Sequence, residues 1–113
     1  MPQPQTFQIM LNSTDGGAAS TPTVNPGDKV YWTAGSAAAF VNAPNIFSPQ
    51  PNNPINIAAS GNSSEYTVNN GQRQGQYSYS SGLQGENRVT ETVNDTIDVG
   101  SGEETATAGG GSY

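Results

Sequence analysis

The 113-residue sequence contains no cysteine and no histidine. Without cysteine it can form no disulfide, no thiolate metal site and no cysteine nucleophile. Without histidine it lacks the usual zinc and copper ligand, the base of a Ser-His-Asp triad and the commonest general base. These absences exclude most familiar enzyme chemistry, and they predict a non-catalytic protein that carries no cofactor.

Basic residues are also scarce. Three Lys and Arg stand against nine Asp and Glu, which gives a net charge of −6. Binding to nucleic acid or to an anionic membrane surface needs clustered basic side chains, so neither partner is expected. No apolar run approaches the roughly 20 residues of a membrane span, and residues 1–12 do not have the pattern of a signal peptide. The abundance of Asn, Gln, Ser and Thr favours an extracellular or cell-surface location.

Helical patterning is nearly absent, because Gly, Pro or Asn interrupts almost every stretch of the chain. Apolar and polar residues instead alternate with period two, which is typical of strands covered on one face. The runs are Phe7 to Leu11, Val30 to Ala34, Ile55 to Ile57, Tyr66 to Val68, Tyr77 to Tyr79 and Ile97 to Val99. With the turn signals between them, these runs predict an all-β Greek-key sandwich of seven or eight strands.

The chain reads as one domain over residues 1–99, followed by a flexible, acidic, glycine-rich tail over residues 100–113. Residues 43–56 contain four prolines, which remove backbone donors from a ladder. This segment is therefore predicted to be an excursion rather than a central strand.

Three stretches of the sequence resemble conserved stretches of the cupredoxins, the plastocyanin-like blue-copper family. They occur here in the same order as in that family. Residues 24–33 (VNPGDKVYWT) resemble the family's V-x-P-G-D turn and its V-x-W strand. Residues 75–81 (GQYSYSS) resemble the G-x-Y-x-Y-x-C strand, and residues 96–100 (TIDVG) resemble the final strand. The resemblance implies a cupredoxin-like sandwich.

The same resemblance places non-ligands at every copper-ligand position. Phe40 occupies the position of the first histidine, and Ser81 occupies that of the cysteine. The second histidine falls among Leu83, Gln84 and Gly85, and the axial methionine falls near Val89. A blue-copper centre needs thiolate and imidazole donors. The expectation is a metal-free domain without the family's electron-transfer activity.

Four aromatic residues and one cluster of acidic residues are candidates for binding. Trp32 shares the face of Val30 and Ala34 and is predicted to be core, whereas Tyr31 lies on the opposite face and is the candidate exposed aromatic. Tyr77 and Tyr79 share a face, with one or both expected at the core rim. Calcium ligation by Asp95, Asp98, Glu103 and Glu104 is less favoured than solvated charge, because the EF-hand spacing is missing.

The sequence therefore predicts a protein-binding or structural module. Its loops 34–54 and 80–94 are long for so small a domain, and loops on rigid sandwiches often carry recognition. The candidate interface residues, if exposed, are Phe40, Ile46, Phe47, Leu83 and Gln84. Two alternatives remain open. One is a fibre or coat subunit that self-associates through its sheet edges. The other is a carbohydrate-binding module, which exposure of Tyr31, Tyr77 and Tyr79 would support.

Overall fold

The computed structural model describes residues 3–84 and 92–100. These residues form eight strands and no helix, so the all-β prediction is confirmed. The strands are β1 (Thr6–Met10), β2 (Thr23–Val24), β3 (Lys29–Thr33), β4 (Ala39–Asn42), β5 (Ile55–Ile57), β6 (Tyr66–Thr67), β7 (Gly75–Leu83) and β8 (Val93–Val99). Each of the six alternating runs in the sequence coincides with one of them. A helix able to cross a membrane is accordingly not found in the described ranges.

The strands form two sheets that face each other across one apolar core. The smaller sheet has the order β1-β3-β6, and the larger has the order β2-β8-β7-β4-β5. Two strand pairs are parallel, β1 with β3 and β2 with β8, and the other pairs are antiparallel. The inward residues of both sheets are almost entirely apolar. The described part of the chain is therefore a β-sandwich.

Four aromatic side chains pack together at the centre of this core. We call this cluster, formed by Trp32, Phe47, Tyr66 and Tyr79, the aromatic centre. Trp32 is fully buried, which confirms its prediction as a core residue. Its ring centroid lies 6.0 Å from that of Phe47 and 5.8 Å from that of Tyr79, both edge to face. The indole N–H donates to the Tyr79 hydroxyl at 3.2 Å. Thus the one polar atom of the tryptophan side chain is satisfied inside the core.

Two strands do not correspond to any predicted run. The prediction of a loop over residues 34–54 is wrong at β4, which lies inside the five-stranded sheet between β7 and β5. Residues 80–83 and 93–94 likewise belong to β7 and β8, so the predicted loop 80–94 is shorter than expected. The period-two signal fails at β4 because the strand has only four residues, its first three are all apolar, and two further alanines precede it. β2 is too short, at two residues, to show any period.

The proline-rich segment leaves the larger sheet after β4 and reaches the smaller one. Phe47 forms a β-bridge with Val68, and the Ser48 amide donates to the Thr67 carbonyl at 2.9 Å. The segment contains cis peptide bonds at Ser48-Pro49 and Asn53-Pro54. It thus runs along the outer edge of β6 before the chain returns to the larger sheet as β5.

The turn between β2 and β3 is formed by Pro26 and Gly27 and is held by the side chain of Asp28. Gly27 has a positive φ of 92°, which glycine adopts without steric cost after Pro26. Asp28 is buried, and its carboxylate accepts hydrogen bonds from the backbone amides of Gln5 at 3.0 Å and Asn25 at 2.8 Å. This carboxylate therefore ties the start of the chain to the turn. The neighbouring Lys29 is exposed.

Candidate functional site

Six strands begin or end at one end of the sandwich. β1, β3, β5 and β7 end there, and β4 and β8 begin there. Among the described residues, three loops lie at this end, formed by residues 12–17, 34–38 and 58–61, and we call these three loops together the loop end. The connection from β7 to β8 begins at the same end, and its residues 85–91 lie outside the described residues. They come from separate parts of the chain, so only the fold brings them together.

The first loop is a tight turn held by its own side chains. The Asn12 side-chain oxygen accepts hydrogen bonds from the amides of Thr14 at 3.0 Å and Asp15 at 2.9 Å. The Asp15 carboxylate accepts from the amide of Gly17 at 2.9 Å. Gly16 has a φ of 79° and lies directly against the Gly82 backbone, where a Cβ atom would clash. Glycine is therefore required here for conformation and for close approach.

Hydrogen bonds also join the three loops to one another. The Ser13 hydroxyl oxygen accepts from the Ser36 amide at 2.8 Å and lies 3.0 Å from the Ser36 hydroxyl oxygen. The Ser60 amide donates to the Gly35 carbonyl at 2.6 Å. The loop end is thus one connected surface rather than three independent segments. Sequence reasoning did not find these links, because they join residues far apart in the chain and follow no repeated pattern.

The side chains that the loop end exposes are small and almost uncharged. Asp15 is the one charged residue in these three loops. The exposed positions include Ser13, Thr14, Asp15, Ser36, Ala58, Ala59 and Ser60. With such short side chains, backbone groups and hydroxyls make up much of this surface, and a bound molecule could approach the backbone closely.

The structure separates the five candidate interface residues into two groups. Ile46, Phe47 and Leu83 are core residues with 0%, 3% and 6% of their surface exposed, so they form no surface patch. Phe40 is half-buried and Gln84 is exposed. The Gln84 amide donates from Nε2 to the Ala39 carbonyl at 2.7 Å, which fixes this side chain at the start of β4.

The positions that the cupredoxin resemblance equates with two copper ligands lie on neighbouring strands but on different faces. Phe40 pairs with Gly82, and Ser81 pairs with Val41. Val41 and Ser81 are fully buried on the inner face, so alternation places Phe40 on the outer face. The Ser81 hydroxyl donates to Asp95 at 2.6 Å. Gly85 and Val89 lie outside the described residues.

The titration of the inward-facing Tyr79 is altered by its surroundings. Burial raises the pKa of its phenol well above the ordinary value, and the nearby Asp95 carboxylate acts in the same direction. The hydrogen bond from Trp32 opposes this shift without cancelling it. The phenol therefore stays protonated at neutral pH and serves as a structural hydrogen-bonding group rather than as a base.

The three tyrosines proposed for sugar stacking do not share a surface. Tyr79 is buried, with 6% of its surface exposed. Tyr77 lies on the same inner face of β7, half-buried, and its hydroxyl donates to the Arg73 carbonyl at 2.8 Å. Tyr31 is half-buried on the outer face of the other sheet. These residues do not form the coplanar aromatic platform that a carbohydrate-binding module would need.

Within the described ranges, the acidic residues that were candidates for calcium binding do not converge on one site. Asp95 accepts hydrogen bonds from Ser81 and from the Ala18 amide, whereas Asp98 lies three residues further along β8. Glu103 and Glu104 lie outside the described residues, as does the tail over 101–113. Across residues 3–84 and 92–100, no three His, Cys, Asp or Glu side chains converge in a way that could hold a metal ion.

Comparisons of the chain with protein-family models, curated proteins and solved structures find no match. The class of the protein is therefore the one that its own fold defines. It is an all-β sandwich of a three-stranded and a five-stranded sheet, with a connected loop surface at one end.

Proposed function

We propose that this chain is a non-catalytic module that binds another protein through its loop end. The observation that carries the proposal is the set of hydrogen bonds joining the three loops, Ser36 to Ser13 and Ser60 to Gly35. Loops fixed in advance lose little conformational entropy on binding, so more of the contact energy remains as affinity. Loop clusters on rigid sandwiches are common places for recognition.

The proposed contact surface extends beyond the loops to two of the predicted interface residues. Phe40 is a half-buried aromatic on the outer face of β4, and it stands beside Gly82, which has no side chain. Aromatic side chains are enriched in protein interfaces and often serve as anchors there. The backbone amide of the exposed Gln84 donates to the Ala38 carbonyl of the loop end, and its side chain, held by Ala39, offers an amide oxygen. A mostly uncharged protein surface is the partner that fits this combination.

The sandwich is proposed to be a copperless one of the cupredoxin-like type. Support comes from the three resembling stretches, which fall on the turn before β3 and β3 itself, on β7 and on β8. Phe40 lies on the outer face of the sheet and Ser81 on the inner face. Side chains on opposite faces could not ligate one metal ion, so these two positions do not favour a copper site that has lost its ligands. The proposed binding function does not depend on this assignment.

Site-specific photo-crosslinking tests the proposed surface. A photoreactive residue is placed at Ala59 in the loop end or at Gln76, an exposed residue at the far end of β7. In an extract of the source cells, the chain labelled at Ala59 should give a discrete protein adduct, and the chain labelled at Gln76 should not. Unlabelled wild-type chain should compete for the adduct, and a folded Ala58→Arg variant should not. Equal adducts from both positions, or none from Ala59, would contradict the proposal.

A second candidate function, self-association, is favoured by the edge strand β1. Within residues 3–84 and 92–100, β1 pairs with β3 on one side only, and its sequence TFQIM carries no charge. Met10, on this strand, has 45% of its surface exposed. The Met10 carbonyl accepts from the Ala19 amide, so only the Thr6 to Ile9 part of the edge is open. Uncharged open edges are the ones that pair with other chains.

Light scattering at increasing protein concentration distinguishes this candidate from the first. A lysine at an edge strand discourages pairing, so Gln8→Lys should lower the apparent mass at high concentration. Gln76→Lys is the matched control, since Gln76 is an exposed glutamine on the interior strand β7. A monomeric wild-type chain at all concentrations, or equal effects of the two substitutions, would exclude pairing through β1.

A further inference from the structure

An exposed tight turn connects β6 to β7 and contains the sequence Asn69-Asn70-Gly71-Gln72. The Gln72 amide donates to the Asn69 carbonyl at 3.1 Å and closes the turn. The Asn69 side chain donates to that of Gln72 at 3.2 Å. Asn70 and Gly71, the two central residues, are both exposed. Asn70 is the only asparagine in the sequence that glycine follows.

The side chain of Asn70 is held by fewer hydrogen bonds than those of Asn12 and Asn53. The Asn12 amide group makes hydrogen bonds through both its oxygen and its nitrogen. The Asn53 amide group bonds the Ala43 amide at 2.9 Å and the Ala43 carbonyl at 3.3 Å. Among the residues the structure describes, the Asn70 side chain has no such hydrogen bond. Rotation of this side chain towards the following peptide therefore breaks no hydrogen bond.

The surroundings of Gly71 are open as well. A Cβ atom placed on this glycine would meet nothing within 4 Å. Because glycine itself has no Cβ, its backbone nitrogen can approach the preceding side chain without steric hindrance. The turn therefore combines a free asparagine amide with an accessible backbone nitrogen one residue later.

We propose that Asn70 is a site of spontaneous deamidation and isomerisation, with water as the co-reactant. The Gly71 nitrogen bonds to the Asn70 side-chain carbonyl carbon, and ammonia leaves with the proton of that nitrogen. Water then opens the cyclic imide at either carbonyl. The products are aspartate or isoaspartate at position 70, one ammonia is released for one water consumed, and no atom is oxidised or reduced.

This reaction changes the surface around the turn. Residues 67–72 and Ser48 line an open depression of about 530 Å³. Deamidation adds one negative charge at its rim. Isoaspartate also adds a methylene group to the main chain. The turn has only four residues, and the hydrogen bond from Gln72 to Asn69 that closes it spans the modified residue. The depression and its turn would thus differ between freshly made and aged protein.

Ageing the full-length folded chain at mildly alkaline pH tests the proposal. Peptide mapping by mass spectrometry follows conversion of each asparagine to the acid, and ion exchange follows the added charge. Conversion at Asn70 should be several-fold faster than at Asn62, an exposed asparagine followed by serine, or at Asn12. Gly71→Ala should slow the reaction at Asn70 several-fold, and the open space at this position predicts an unchanged melting temperature.

Two results would overturn the proposal. One is conversion at Asn12 or Asn62 that is as fast as conversion at Asn70. The other is an unchanged rate at Asn70 in the Gly71→Ala variant, which would show that the glycine nitrogen is not the attacking group. Both results are independent of whether the loop end binds a partner, because Asn70 lies between β6 and β7, outside the loop end.

Discussion

The aromatic centre and the loop end are stabilised in different ways. Trp32, Phe47, Tyr66 and Tyr79 stabilise the centre mainly by burying large apolar surfaces. The loop end contains almost no large apolar side chain and depends on short hydrogen bonds and on glycine backbone contacts. Apolar burial is non-directional and scales with area, whereas hydrogen bonds fix direction. The centre therefore provides stability, and the loop end provides a defined shape.

The largest expected effect lies in the aromatic centre. Trp32→Ala removes a fully buried side chain and should cost about 3–5 kcal/mol of unfolding free energy. Tyr31→Ala is the control, because Tyr31 is the next residue along β3 and is half-buried on the outer face. Urea unfolding followed by circular dichroism measures both. A loss for Trp32→Ala no larger than that for Tyr31→Ala would contradict the central role of the indole.

The next largest loss of stability is expected at the loop end, where Gly16 contacts the backbone of β7. Gly16→Ala places a Cβ against the Gly82 backbone at a φ of 79°. The left-handed conformation and the overpacking together should cost about 2–4 kcal/mol. Gly71→Ala is the matched control, since its Cβ meets nothing within 4 Å. Thermal unfolding compares the two variants, and equal melting temperatures would show that the 12–17 turn can move away from β7.

This contrast also explains what the sequence could and could not predict. β3 shows clear period-two alternation, so Trp32 and its face were identified correctly. Ile46 and Phe47 lie in a proline-rich segment without a strand period, so the sequence left open whether they are exposed, and tertiary packing buries both. The bond from Ser36 to Ser13 joins residues 23 apart in the chain. Local patterns contain no information on such pairs, so the connected loop end could not be predicted.

An intermediate effect is expected at the polar contact inside the aromatic centre. Tyr79→Phe leaves the buried Trp32 N–H without its acceptor and should cost about 1–3 kcal/mol at neutral pH. The variant sharpens the comparison between the two regions, because it removes one directional bond and keeps nearly all the apolar area. Chemical unfolding at neutral pH measures this cost, and an unchanged stability would show that the hydrogen bond contributes nothing net.

The same substitution has a pH-dependent consequence. Burial raises the pKa of Tyr79 in the folded chain above its ordinary value of about 10. As pH rises past about 10, the unfolded chain ionises this phenol first, so the wild-type protein loses stability there. Tyr79→Phe should lose less stability over the same alkaline range, and its melting temperature should fall less steeply. Parallel curves for the two proteins would contradict the raised pKa.

The smallest expected effect on global stability lies at the loop end. Ser13→Ala removes the acceptor of the Ser36 amide, and because this site is exposed, water can replace the lost bond. The free energy of unfolding should therefore fall by only about 0.5–1 kcal/mol or less. Ser78→Ala is the matched control, because Ser78 is an exposed serine on the interior strand β7.

The local effect of Ser13→Ala should be much larger than the global one. Hydrogen exchange at the Ser36 amide should become faster, since opening of this loop no longer breaks a bond to its neighbour. Loss of that hydrogen bond should also lower the yield of the protein adduct from Ala59. The three loops would then have to become ordered on binding, which reduces the affinity. If exchange at Ser36 and the Ala59 adduct both match those of Ser78→Ala, the hydrogen bond does not hold the loop end together. The binding surface would then owe its shape to the Ser60–Gly35 hydrogen bond and the Gly16 contact.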